Sequence, residues 1–189
     1  MLWIPIFLAA AMLLWAAVIF NRLVGLRNRA KGSWSDIDVQ LKRRHDLVGN
    51  LVRTVQGYAE HERETLQRVV EARTRAESAR ERGRPGETGD AERNLVGGLN
   101  TLLAVVEGYP DLKASDGFLE LQRGLTEVED DLQNARRYYN AVVRDLNTRI
   151  QSVPDLLIAR PFGFSEAEFF QLDDPGEAAV PRVAMGSDR

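Results

Sequence analysis

The sequence contains no cysteine and only two histidines, His45 and His61. Without cysteine there can be no disulfide scaffold, no thiolate zinc site and no cysteine nucleophile. Two histidines are also too few for a three-histidine metal centre. The formal net charge is only −3 over 189 residues, which argues against a dedicated nucleic-acid binder. Most enzyme chemistries therefore lack the residues that they need.

Common motifs of catalysis and metal binding are missing as well. His61 and Glu62 begin the zincin pattern H-E-x-x-H, but Thr65 stands where the second histidine is required. His45 and His61 are sixteen positions apart, which places them about 160° apart around one helix, too far to share a ligand. No phosphate-binding loop or serine-hydrolase motif is found. We therefore expect no catalytic residue, no metal and no cofactor.

The first long feature is an apolar segment, Met1–Phe20, in which nineteen of twenty residues are apolar. At ~1.5 Å rise per residue, a helix of this length crosses a ~30 Å hydrocarbon core. A cleaved signal peptide would need a basic start and a small-residue cleavage site, but this segment begins Met-Leu-Trp and ends Val-Ile-Phe. We predict an uncleaved anchor that contacts the lipid bilayer through residues 1–20.

Basic residues follow this segment before any acidic residue occurs, at Arg22, Arg27, Arg29 and Lys31. Lysine and arginine beside a membrane span favour the cytoplasmic side. We therefore predict a single-pass chain whose N-terminus lies outside and whose body is cytoplasmic.

The body after the anchor has the three-four apolar spacing of amphipathic helices. A first stripe runs from Leu23 to Ala76 without a proline, and it predicts one continuous helix over about 22–81. Polar residues interrupt this stripe at Arg44, Glu62 and Thr65. The stretch at 81–92 contains three glycines and one proline, and this composition predicts a loop.

Two further stripes follow the loop. Leu95–Val106 predicts a helix over about 91–108, and Phe118–Ile150 predicts another over about 116–152, which Pro154 ends. Leu132 lies in the middle of the last stripe. We expect it to pack on the first helix together with Leu125 and Val128, near the side chains of Leu51, Val55 and Tyr58.

The segment at 155–172 is rich in phenylalanine and holds four of the seven in the chain, at 162, 164, 169 and 170. Because soluble surfaces rarely carry so large an apolar patch, we predict that this segment docks on the bundle. Binding to a partner is the next alternative, and docking on a membrane is the weakest, because acidic residues follow. Residues 173–189 have the composition of a disordered tail.

No segment alternates with period two, so no sheet is predicted. The predicted fold class is all-α, with an N-terminal transmembrane helix at 1–21 and an antiparallel bundle of three to four long helices at 22–172.

Polar residues crowd about four turns of the first predicted helix, from Asp36 to Asn50. One interpretation is a solvated face with pairs inside the helix. In the other, Arg44 or His45 fills a gap in the apolar stripe and bonds to Asn140 or Asn147 of the last helix. Buried polar groups of this kind fix helix register more than they add stability.

At these positions the sequence resembles the LemA family, beginning with the run WSDIDVQLKRR at Trp34–Arg44. The similarity extends over nearly the whole chain after the anchor. Departures occur at Gly49, Gln56 and Leu146, where the family commonly has proline, lysine and tyrosine. The candidate interaction residues are those that carry the resemblance: Trp34, Asp36, Asp38, Gln40, Arg43, Arg44, Asp46, Asn50, Tyr58, His61, Glu62, Tyr109, Pro110, Phe118, Gln122, Tyr139, Asn140, Asn147, Phe162 and Phe164.

The resemblance implies a bacterial protein of the inner membrane whose body is a helical bundle, with no established enzymatic activity and no known cofactor. The leading hypothesis is a membrane-anchored scaffold or interaction protein with unknown protein partners and no nucleic acid, and with homo-oligomerisation left open. One alternative is a ligand-sensing module on the outer side of the membrane. The least favoured alternative is an enzyme that uses His61 and Glu62.

Overall fold

A computed structural model of the chain describes residues 3–59 and 61–172. The tail predicted at 173–189 lies outside these residues. Within them the structure contains helices and no strand, and the all-α prediction is confirmed. The helices are α1 (Trp3–Gln56), α2 (Arg63–Arg82), α3 (Pro85–Val106), α4 (Pro110–Lys113), α5 (Asp116–Gln151) and α6 (Leu156–Ala159).

The continuous helix predicted over 22–81 is wrong, because the chain turns between α1 and α2. The turn begins at Gly57 and Tyr58, directly after the last residue of α1. The α2 helix then runs antiparallel to α1, as shown by Arg80 Nη1, which donates to Asp38 Oδ1 at 2.8 Å. Glycine is a poor helix former, and reversal allows the apolar stripe of α2 to be buried against α1. The polar interruption at Glu62 marks this break.

The loop predicted over 81–92 is also wrong, because α3 already begins at Pro85. Only Gly83 and Arg84 separate α2 from α3. Gly83 takes the left-handed conformation, with φ of 67°, and its N–H donates to the Arg80 carbonyl, which closes α2. Proline is well suited to the first turn of a helix, where no N–H donor is needed. The composition of this stretch therefore describes a helix end followed by a helix start.

Helices α1 and α5 pack antiparallel along the body, and the α2–α3 pair covers the distal half of α1. Val128 and Leu132 of α5 are buried in one cluster with Ile37 and Leu41 of α1. The expected packing near Leu51, Val55 and Tyr58 is therefore wrong for Val128 and Leu132, and Tyr58 is exposed. It is confirmed for Leu125, which packs against the distal cluster that contains Leu51 and Val55. Leu132 therefore packs on a part of α1 that lies nearer to the apolar segment than the sequence predicts.

The C-terminal segment folds back on the bundle. After α6 the chain runs without regular structure, and it places Phe164 and Phe170 in the core. Phe162 remains largely exposed and Phe169 is partly exposed. Half of the phenylalanines in this segment are therefore core residues, and the segment forms part of the packed body.

The apolar segment and the bundle share one helix. Residues 3–18 of α1 are exposed except for the half-buried Ala16, whereas Ile19 and Leu23 are buried against α5 and the C-terminal segment. Within the described residues, α1 is the one helix that is long and apolar enough to cross a membrane. The packed body thus begins at Ile19, and no flexible linker separates it from the apolar segment.

Candidate functional site

The polar row on α1 divides between surface and interior. Asp36, Asp46 and Asn50 are exposed, and Gln40 is half-buried. Arg43 is exposed and pairs with two carboxylates of α5, Glu127 at 3.3 Å and Asp131 at 3.8 Å. Half-buried Asp38 pairs with Arg80 of α2, as described above. The solvated-face interpretation therefore holds for the exposure of most of the row, with Arg44 and His45 as exceptions. The ion pairs of Arg43 and Asp38, however, join α1 to other helices and do not lie within it.

Arg44 and His45 meet a single buried carboxylate, Glu92 of α3. Arg44 Nη1 lies 3.3 Å from Glu92 Oε2, and His45 Nε2 lies 2.6 Å from Glu92 Oε1. The side chains of Glu92, Arg44 and His45 are 0 %, 5 % and 2 % exposed. A charged carboxylate is tolerated in such an interior only when it is paired and hydrogen-bonded. These three residues are called the buried cluster below.

Two further helices complete the surroundings of the buried cluster. The second guanidinium nitrogen of Arg44 donates to Glu129 of α5, which is half exposed. From α2, Arg73 Nε donates to the backbone carbonyl of His45 at 2.7 Å. His45 Nδ1 is buried without a hydrogen-bond partner in the described part of the chain. Helix α1 thus makes polar contacts with each of the other three long helices at this level of the bundle.

The partner predicted for Arg44 or His45 is wrong, because neither bonds to Asn140 or Asn147. The sequence does not indicate Glu92 as the partner, because this residue lies in the stretch at 81–92 whose composition predicts a loop. Its signal is nevertheless visible in the sequence. The buried positions of α3 include Thr88, Glu92, Leu95, Leu99, Leu102 and Val106. Thr88 and Glu92 thus continue the three-four spacing of the apolar stripe toward the N-terminus.

Asn140 and Asn147 instead hold the C-terminal segment. Asn140 accepts from the N–H of Phe170 and donates to its carbonyl, at 2.9 and 2.8 Å. Asn147 makes the same pair of bonds with Ala167, both at 2.9 Å. Each side-chain amide thus satisfies both backbone groups of one residue that has no helical partner. The two asparagines are spaced by seven residues, two turns of α5, and so face the same segment.

Tyr139 directly precedes Asn140 and is a core residue, as its position on the stripe predicts. Its hydroxyl donates to the Glu168 carbonyl at 2.8 Å, and its ring lies 5.4 Å from that of Trp34. Trp34 also contacts the ring of Phe170 at 5.4 Å. Burial, followed by the charge of Glu168, raises the pKa of Tyr139 to about 12. The tyrosine therefore remains a neutral donor at physiological pH.

The remaining candidate residues lie mostly around the distal turn. His61 and Tyr58 are exposed, and Glu62 accepts a long hydrogen bond of 3.5 Å from the Tyr109 hydroxyl. Pro110 is the first residue of α4, and Phe118 is buried in the same cluster as Leu51 and Val55. Gln122 lines a cleft of about 300 Å³ beside Arg44. Among residues 3–59 and 61–172, no hydrogen bond or ion pair joins His61 to an acidic group.

This arrangement offers little for catalysis. In the part of the chain that the structure describes, the buried cluster is the one place where a histidine meets a carboxylate, and it is closed to solvent. Among residues 3–59 and 61–172, no group of three or more histidine, aspartate or glutamate residues could hold a metal ion. The chemical role that the buried cluster can perform is to fix the register of α1, α3 and α5.

The end of the bundle nearest the apolar segment carries aromatic contacts. Phe20 of α1 lies 5.1 Å from the ring of Phe162 and 5.7 Å from that of Phe164. The Arg27 guanidinium lies 5.0 Å above the Phe164 ring, in cation–π geometry. Buried Phe164 therefore ties the C-terminal segment to α1, whereas exposed Phe162 faces outward at this end.

Fold and site together define an all-α bundle that is continuous with an apolar N-terminal helix and that encloses a buried ion cluster. The LemA family model matches residues 33–185. The chain belongs to the LemA family, as its resemblance predicts.

Named relatives are similar over most of their length. Magnetosome protein MamQ 1 of Paramagnetospirillum magneticum is 27 % identical over 187 residues, which cover 85 % of this chain and 68 % of the relative. Magnetosome protein MamQ of Magnetospirillum gryphiswaldense is 24 % identical over 184 residues, with the same coverage. Protein LemA of Metamycoplasma hominis is 25 % identical over 155 residues, which cover 82 % and 69 %.

Proposed function

We propose that this protein is a membrane-anchored platform that holds a helical interaction surface at a fixed height above the inner membrane of a bacterium. The observation that carries the proposal is the uninterrupted α1 helix of 54 residues, Trp3–Gln56. Its exposed apolar part, residues 3–18, serves as the anchor, and the part from Ile19 onward contributes to the core of the body. Because no linker intervenes, the body and the anchor move as one rigid unit.

The interior of the body supports a non-catalytic role. The one histidine–carboxylate pair among the described residues, His45 with Glu92, is buried and closed to solvent. Names of the relatives refer to a cellular structure or to a family, and none names a reaction. A rigid rod fixed to a bilayer is suited to presenting a surface, so we favour a scaffold over an enzyme.

A cleft at the distal end is the surface that we favour for a protein partner. It has a volume of about 570 Å³ and lies between the end of α1 and the start of α2. Val70 is exposed in it, beside the polar side chains of Gln56, Arg63 and Gln67. An exposed apolar residue within a polar rim is typical of interaction sites. The cleft lies far from the apolar segment, where a cytoplasmic partner would have free access.

Crosslinking in cells tests this platform. A photo-reactive amino acid at Val70 of the full chain should give discrete adducts, because the side chain faces the cleft. The same amino acid at Asn134, exposed on α5, is the matched control and should give none. Absence of adducts at Val70, in cells where the chain is recovered in the membrane fraction, would contradict the proposed surface.

Topology separates the platform from the outer-side sensor. A reporter that is active only outside the cytoplasm, fused after Arg189, should be silent if the body is cytoplasmic, because four basic residues follow the apolar segment. Mass measurement of the mature chain should show that residues 1–20 are retained. Strong reporter activity would instead favour the sensor hypothesis.

A further inference from the structure

A groove beside the apolar segment is lined by three arginines. Arg22 and Arg29 come from α1 and Arg149 comes from the end of α5, around a cavity of about 490 Å³. Gly25 lies between the two arginines of α1, and the space beside its α-carbon is open. Positions 22, 25 and 29 share one helix face because of their three-four spacing. The groove is therefore positively charged and large enough for a small anionic group.

The arginines of this groove retain free donors. Arg22 and Arg29 are exposed and form no ion pair within residues 3–59 and 61–172. Arg149 Nη1 donates to Asp155 Oδ2 at 2.9 Å, which uses one of its five N–H groups. Guanidinium groups bind phosphate oxygens through pairs of hydrogen bonds. Of the three guanidinium groups, only that of Arg149 is paired with a carboxylate. A phosphate diester, which carries one charge on several oxygens, can therefore bind to the donors that remain free.

The groove lies at the depth of lipid phosphates if α1 crosses the bilayer. Val18, at the end of the apolar segment, lines the same groove as Arg22, which follows one turn later. The headgroup zone outside the hydrocarbon core is roughly 5–7 Å thick on each side, and four residues of helix rise ~6 Å. Arg22 thus lies within that zone, and the long side chain of Arg29 can reach back toward it.

An apolar rim surrounds the same end of the bundle. Val153, Leu157 and Phe162 are 73 %, 61 % and 61 % exposed, and Phe162 contacts Phe20 of α1. Large exposed apolar patches mark interaction surfaces. The contact between Phe162 and Phe20 places this rim next to the exposed apolar part of α1. A bilayer that covers the apolar part of α1 would therefore also contact the rim.

We propose that the groove of Arg22, Arg29 and Arg149 binds the headgroup phosphate of an anionic phospholipid in the leaflet on the side of the body. The exposed rim of Val153, Leu157 and Phe162 then enters the interface around it. The site rests on the membrane anchoring proposed above. It differs from docking of the whole phenylalanine-rich segment, because Phe164 and Phe170 are core residues.

Lipid selectivity of the full chain in nanodiscs tests the site. Spin-labelled phosphatidylglycerol and spin-labelled phosphatidylcholine are compared at equal trace amounts in phosphatidylcholine discs, and the motionally restricted fraction gives their relative association constants. The native chain should favour phosphatidylglycerol. The Arg22→Gln/Arg29→Gln double variant should lose at least about fivefold of that preference, since one basic residue near an anionic surface contributes roughly this factor.

A charge-matched control distinguishes the groove from general surface charge. Lys31→Gln/Arg144→Gln removes the same charge from exposed positions of α1 and α5 that do not line the groove, and it should keep the preference. Equal losses in both double variants would overturn the site, as would a native chain without preference. Loss of the preference on adding inorganic phosphate at constant ionic strength would show that free phosphate displaces the lipid, which would overturn a site that is selective for the lipid headgroup.

The failure of this site and the failure of the anchor are separate outcomes. A native chain that enters the nanodisc but shows no preference for phosphatidylglycerol removes the lipid site and leaves the platform. A native chain that does not enter the bilayer overturns both.

Discussion

Glu92 shows how a single buried carboxylate can organise several helices. Its two oxygens are divided between Arg44 and His45, which are neighbours on α1, so α3 can slide along α1 only by breaking both contacts. A buried ion pair often adds little net stability relative to an apolar core. We therefore interpret the buried cluster as a device for register, in a bundle whose apolar stripes alone would permit several alignments.

Glu92→Gln should lower the free energy of unfolding of the full chain by about 3–5 kcal/mol, because it leaves the Arg44 charge buried with half of its compensation. Denaturant unfolding in detergent micelles, followed by circular dichroism, measures this change. Glu129→Gln is the matched control. It removes the half-exposed partner of the same arginine and should cost no more than ~1 kcal/mol. Similar losses in both variants would contradict the assigned role of the buried carboxylate.

Tyr139 gives the bundle an alkaline stability limit. Its folded-state pKa of about 12 lies above the ordinary value of 10.0, so the folded state binds the phenolic proton more tightly than the unfolded chain does. The resulting stability is fully present below pH 10 and is lost as the pH rises toward 12. The loss amounts to roughly 2–3 kcal/mol.

The variant Tyr139→Phe should remove this part of the pH dependence, because it has no phenolic proton to lose. At neutral pH the variant should be less stable by about 1 kcal/mol, since the Glu168 carbonyl loses its donor. Unfolding free energies of both chains measured from pH 8 to pH 12 test this expectation. Parallel curves would contradict it.

Individual helices differ in how far the sequence reveals them. The α5 stripe is uninterrupted from Phe118 to Ile150, and the predicted bounds, 116–152, differ from the observed end at Gln151 by one residue. The sequence does not reveal the break between α1 and α2, because no proline marks it. A single glycine such as Gly57 ends a helix only where tertiary packing favours a turn. The sequence does not reveal the start of α3, because the glycines in its first turns are typical of a loop.

The candidate site was predictable in part for the same reason. A polar residue inside an apolar stripe, such as Arg44, is compatible with a solvated face or with a buried polar group, and the structure shows that it is buried. Its partner could not be named, because pairing across helices depends on a register that no local pattern encodes. The bonds of Asn140 and Asn147 to backbone groups were also hidden, since any residue supplies an N–H and a carbonyl.

Two glycines of α3 should respond oppositely to the same substitution. A Cβ at Gly89 would lie 2.3 Å from the Gln171 carbonyl oxygen, so Gly89→Ala must displace the C-terminal segment. Gly97 has no neighbouring atom within 4 Å, so Gly97→Ala should stabilise the helix by about 0.5–1 kcal/mol. We expect Gly89→Ala to lower the melting temperature of the full chain in micelles and Gly97→Ala to raise it. Equal increases would show that the C-terminal segment does not pack tightly on α3.

The whole molecule is organised around α1, which belongs to two environments. Its apolar N-terminal part contributes no residue to the core before Ile19, and its remaining part is buried progressively by α5, α2 and α3. Both polar sites lie on the same helix, with the arginine groove where α1 leaves the apolar segment and the buried cluster about four to six turns further along. A force or a ligand acting at one end of α1 is therefore transmitted through a rigid element to the other.

This organisation predicts where the chain can be shortened. A chain that begins at Ile19 should melt at the same temperature as the full chain in the same micelles, because residues 3–18 make no core contact. A chain that begins at Ser33, the start of the family match, loses Ile19 and Leu23 from the membrane-proximal core. Full burial of each such side chain contributes about 1.5–3 kcal/mol, so this chain should melt roughly 6 °C lower or more. If the chain from Ser33 is as stable as the full chain, then Ile19 and Leu23 belong to the anchor alone, and the body is not rigidly joined to it.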